Sequence, residues 1–91
     1  MPRRPPTPVR LRRLGRRIAE LRLAVGVTQE RLAEKTGAAI SWIKAIEAGS
    51  RDIRVSTMWR LADALGVEPE EVLAIPASMR VARGRPRKPR S

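Results

Sequence analysis

The chain has no cysteine and no histidine. Disulfides, thiol nucleophiles, Cys/His zinc fingers and imidazole acid–base catalysis are therefore excluded. Aromatic residues are nearly missing as well, with two Trp and no Tyr or Phe. Trp42 and Trp59 are expected to pack in the core or at its rim rather than stack on bases. No apolar run approaches membrane-spanning length, and the opening MPRRPPTP lacks the apolar segment of a signal peptide. The expected location is cytoplasmic, associated with the nucleoid. Carboxylates are present, but none stands with a plausible nucleophile or in a metal-binding cluster, so no enzyme, metal or cofactor is expected. A core this small also leaves little room for a ligand pocket.

Acidic residues are missing from both ends. Residues 1–13 carry five Arg and residues 77–91 carry five Arg plus Lys88, without one Asp or Glu among them. Between them, residues 14–76 hold nine basic and nine acidic residues, so the net charge of +11 lies entirely in the flanks. Three segments follow: a basic N-terminal arm over 1–13 running into the first helix, one domain over 14–76, and a disordered basic tail over 77–91. Cationic flanks attract polyanions and gain affinity by releasing counterions, whatever the base sequence. Any sequence choice then falls to the formally neutral middle.

That middle reads as all-α, with five helices and no strand. Thr7 and Pro8 suit the start of the first helix, whose apolar face is Leu11, Leu14, Ile18, Leu21 and Val25, with Gly26 as its stop. Thr28 is an N-cap for a second helix over about Gln29 to Thr36, closed by Gly37. A third runs from about Ile40 to Ala48, its Ile43 and Ile46 returning to the core beside Leu32 and Ala33. A fourth covers about Ser56 to Leu65, with Met58, Leu61, Ala62 and Leu65 as its stripe. A short fifth begins at Pro69 and ends before Pro76. The stretch from Thr28 to Gly49 is thus two short helices at a sharp angle, a device for placing one helix in a DNA groove.

Three motifs in register, GVTQERLA from Gly26, I-x-x-I-E-x-G from Ile43 and RLADALGV from Arg60, resemble the Cro and phage-repressor type of helix-turn-helix domain over about Leu14 to Ile75. The resemblance implies a five-helix, λ-repressor-like, DNA-binding fold with basic tails. It also implies that the third helix is the recognition helix, with Ile40, Ser41, Lys44 and Ala45 toward the bases. Gln29 then clamps a phosphate, and the loop residues Ser50 and Arg51 touch backbone. Arg22 of the first helix is paired with Glu47 of the third. In two respects the chain departs from the family pattern. Ala38-Ala39 stand where Ser or Thr commonly caps the recognition helix. Neither Gln nor Arg occupies the groove-facing positions, so modest base discrimination is expected, with Lys44 for guanine and Ile40 or Ala45 for a thymine methyl.

In the tail, Arg83-Gly84-Arg85-Pro86 resembles the core of an AT-hook, which lies extended in the minor groove. Gly84 allows close backbone approach, Pro86 stiffens an extended path, and Arg83 and Arg85 suit a narrow, strongly negative groove. Arg87 and Lys88 would reach phosphates. A plain solvated polybasic tail is the alternative. The leading functional expectation is a transcriptional regulator, a repressor by type, that binds duplex DNA as a homodimer. Val72, Leu73 and Ile75 are offered either as a dimer contact or as the last part of the core. Two other readings stand beside it: an antitoxin-type module that binds a toxin through the apolar set Ile40, Trp42 and Ala45, and an architectural binder of AT-rich DNA.

Overall fold

Apolar residues at spacings of three and four fold into five helices in the computed structural model, which describes residues 7–77. They are α1 (Thr7–Ala24), α2 (Gln29–Thr36), α3 (Ile40–Glu47), α4 (Val55–Leu65) and α5 (Pro69–Leu73), with no strand among the described residues. No helix among the described residues is long and apolar enough to cross a membrane. Every helix contributes to one aliphatic core: Ile18 and Leu21 from α1, Leu32 and Ala33 from α2, Ile43 and Ile46 from α3, Leu61, Ala62 and Leu65 from α4, and Val72 from α5. Each large side chain buried in this way stabilises the fold by roughly 1.5–3 kcal/mol. α3 packs on α1 and α2, α4 on α2 and α5, and α5 returns to α1, so the elements close around that core.

Local chemistry sets most of the helix ends. The Thr28 hydroxyl accepts the Arg31 N–H at 3.0 Å and caps α2. Beyond α1, the Val27 N–H reaches the Arg22 carbonyl at 3.0 Å and the Gly26 N–H reaches that of Leu23 at 3.1 Å. This wind-up ends α1 at Ala24 and leaves Val25 exposed, so Val25 is not part of the buried face expected of it. Thr7 lies within α1 rather than capping it, and α4 begins one residue before the expected Ser56. α3 closes at Glu47, with Ala48 as its C-cap.

The two tryptophans part company. Trp42 is partly buried and packs against the core, as expected, whereas Trp59 is 55% exposed. Met58, Leu61, Ala62 and Leu65 occupy the inward arc of α4, and one residue past Met58 is about 100° around the helix, which turns Trp59 to solvent. Leu73 and Ile75 are exposed too, and of the three residues offered at the end of the chain only Val72 completes the core.

The end of the described chain is tied back to α1. Arg17 Nε donates to the Glu71 carbonyl at 2.6 Å, and Glu20 Oε1 accepts the Ala77 N–H at 3.1 Å. Arg17 Nη1 also meets Glu20 Oε1 at 3.4 Å. The point from which the C-terminal segment departs is therefore fixed on α1.

Candidate nucleic-acid interface

α2 and α3 are separated by Gly37, Ala38 and Ala39. Gly37 has φ 72°, which an L side chain adopts only with strain, and its N–H and that of Ala38 satisfy carbonyls at the end of α2. This left-handed step turns the chain sharply, so that α3 crosses α2 instead of continuing it. Ala39 then starts α3 with no side-chain hydrogen bond, and the Trp42 N–H turns back to the Ala39 carbonyl at 3.0 Å.

With Ile43 and Ile46 buried, helical geometry sends Ser41 and Lys44 outward, three residues apart on one face, and both are exposed. Ala45 flanks them and is partly buried. Ile40 is partly buried and packs against the core, as does Trp42, so much of the apolar surface anticipated on this helix is turned inward. Past α3, Ser50 and Arg51 are both exposed, with the Ser50 hydroxyl donating to the Ala45 carbonyl at 3.0 Å. The expected minor-groove residues Arg83, Gly84, Arg85 and Pro86, with Arg87 and Lys88, lie outside the described residues.

The base of α3 is held by a charged network. Arg22 Nε and Nη2 meet Glu47 Oε2 and Oε1 at 2.7 and 3.1 Å, a bidentate pair whose side chains are 12% and 8% exposed. Arg22 Nη1 donates to the Val27 carbonyl at 2.9 Å, and Gln29 Nε2 donates to Glu47 Oε1 at 3.0 Å. The Arg22–Glu47 pair expected from the resemblance is thus in place and largely dry. Gln29 is more constrained than expected. An amide carries two N–H donors, and one of those of Gln29 is spent on Glu47.

Two close approaches join α1 to the end of α3, one at Gly15, outside the three motifs, and one at Gly49, the last residue of I-x-x-I-E-x-G. A Cβ on Gly15 would run into the carbonyl oxygens of Ile46 and Glu47, and one on Gly49 would come within 2.7 Å of Arg12 Cα and Cγ. Backbone therefore meets backbone along this seam, which places α3 at a set height above α1. An isolated glycine inside a helical pattern is itself a packing signal, and Gly15 carried it.

The profile of the helix-turn-helix domain family matches residues 13–75 of the chain. An uncharacterized HTH-type transcriptional regulator of Sinorhizobium fredii is 36% identical over 60 residues, covering 66% of this chain and 78% of the relative. Among solved structures, the restriction-modification controller protein C.AhdI from Aeromonas hydrophila aligns with TM-score 0.66 and 39% identity, over 68% of this chain and 94% of that one. The hypothetical transcription factor NHTF from Neisseria aligns with TM-score 0.69 and 29% identity, over 86% and 91%. SinR, a master regulator for biofilm formation solved in complex with DNA, aligns with TM-score 0.63 and 27% identity, over 67% and 98%.

Proposed function

The chain belongs to the helix-turn-helix domain family, and from that premise we propose that it is a DNA-binding transcriptional regulator that inserts α3 into the major groove. The observation that carries this reading is the outward pair Ser41 and Lys44 on a helix whose opposite face is locked into the core. Lys44 hydrogen-bonds guanine, Ser41 bonds several bases, and Ala45, with the outer edge of Ile40, meets a thymine methyl. Gln29 at the start of α2 and Ser50 and Arg51 after α3 hold the flanking phosphates and set the register. Arg83 to Pro86 lie in an adjacent minor groove, with Arg87 and Lys88 on phosphates.

The regulator acts as a homodimer and represses. Leu73 and Ile75, 63% and 48% exposed at the end of the fold, are the apolar surface that suits a second copy. Two copies then read half-sites about one helical turn, or roughly ten base pairs, apart. A toxin-binding role finds less support, because Ile40 and Trp42 give part of their apolar surface to the core.

Selection of binding sites from random duplex DNA, with the full chain and with a chain ending at Ala77, tests this. A palindromic site recovered by both is the expected result. Recovery of AT-rich sequence without a motif, lost on truncation, would transfer DNA binding from α3 to the tail.

A further inference from the structure

The seam between α1 and α3 does more than fix a height. Gly49 carries φ 78°, and its missing side chain leaves the space that the Arg12 backbone and Cγ occupy. Arg12 is exposed, so its stem lies against the backbone of Gly49 while its guanidinium stands at the protein surface. The two residues that follow Gly49 in the chain are Ser50 and Arg51, both exposed. Arg12 thus stands beside the glycine that opens the segment Ser50-Arg51-Asp52, almost forty positions away in sequence, whose three residues are all exposed.

The geometry points to Arg12 as a phosphate-holding residue, which continues onto α1 the backbone contacts made by Ser50 and Arg51. This rests on the DNA-binding reading given above and adds a second element to it. A guanidinium suits the task because it stays charged and offers a fork of donors to phosphate oxygens. The competing account is internal: Arg12 would merely offset the partial negative charge at the end of α3. On that account its removal changes stability and leaves the salt dependence of DNA binding untouched. Arg12 is one of the five arginines of the basic N-terminal segment, and it is held on α1 against a neighbouring backbone.

The test compares the salt dependence of duplex binding for the full chain and its single variants. Each phosphate that is no longer neutralised should reduce the slope of log K against log salt by about 0.9. Arg12→Gln is expected to show that reduction, so the affinity change between about 50 and 200 mM salt shrinks by roughly threefold. Arg12→Lys should restore the slope. Arg60→Gln removes the same charge from the exposed surface of α4, which packs on α2 and α5, and should leave the slope unchanged. Equal reductions for Arg12→Gln and Arg60→Gln would overturn the proposal, because net charge alone would then account for both. An unaltered slope for Arg12→Gln, beside a reduced one for Arg51→Gln, would overturn it while leaving the DNA-binding reading intact. Failure of the unmodified chain to bind any duplex would remove the reading on which it rests.

Discussion

Glu47 accepts three hydrogen bonds, two from Arg22 and one from Gln29, in a setting almost closed to water. Removing it leaves a buried guanidinium without its counter-charge, the costly way to break such a pair. Glu47→Ala should therefore destabilise the fold by about 3 kcal/mol, read as a fall in melting temperature of roughly 10–20 °C. An unchanged melting temperature would contradict the buried network. Replacing both partners with apolar residues, as Arg22→Met with Glu47→Leu, should recover much of the loss, because no charge is then stranded. Gly15 poses the opposite problem. Alanine forms helix better than glycine by about 1 kcal/mol, yet at this position its Cβ meets two carbonyl oxygens of α3. The clash is with backbone, which cannot swing aside, so Gly15→Ala should lose roughly 1–3 kcal/mol net in urea denaturation. A gain in stability would mean that α3 is free to retreat from α1.

At the scale of the element, α3 is the least secured of the helices around the turn. α2 has the Thr28 hydroxyl at its start, whereas the Ala39 side chain offers no acceptor to the first turn of α3. Ala39→Ser should raise stability by about 1 kcal/mol, seen as a higher urea midpoint with an unchanged m-value; an unmoved midpoint would show that the first turn is already satisfied. The start of α2 and its glycine stop are legible in the sequence, since caps and left-handed glycines act on their own neighbours. The orientation of α4 is less so. Its stripe follows from the spacing of Met58, Leu61, Ala62 and Leu65, but composition alone assigns Trp59 to packing and it stands 55% exposed. A Trp42→Phe chain, which retains Trp59, should emit at longer wavelength and be quenched more readily by acrylamide than a Trp59→Phe chain. Similar quenching of the two would place Trp59 against the core after all.

For the whole molecule, three arginines of the basic N-terminal segment, Arg10, Arg12 and Arg13, stand on α1, residues 78–91 carry a further block of positive charge, and Glu20 ties Ala77 to α1. Removing residues 78–91 deletes five Arg and Lys88 while keeping every core residue. The melting temperature should hold, and the salt slope of DNA binding should fall by several units. A large drop in melting temperature would mean that the tail stabilises the domain. The proposed self-association is tested at this scale as well. Leu73 is exposed on a fold whose core is complete without it, so Leu73→Glu should leave unfolding nearly unchanged and shift sedimentation toward the monomer. An unaltered mass distribution would move the self-contact elsewhere.

The all-helical class, the number and near-ends of the helices, the aliphatic composition of the core and the placing of the excess charge outside it were legible in the residues alone. These follow from periodicity, capping, left-handed glycines and formal charge, all of which are written over a few neighbouring residues. The Arg22–Glu47 pair was reached only through resemblance, because nothing local joins residues in two different helices. Tertiary structure alone decided that Ile40 leans inward, that Gln29 spends a donor on Glu47, and that Gly15 and Gly49 let α1 press against the end of α3. Each depends on the rotation and separation of whole helices, which are set by how all the side chains of a shared core fit together at once.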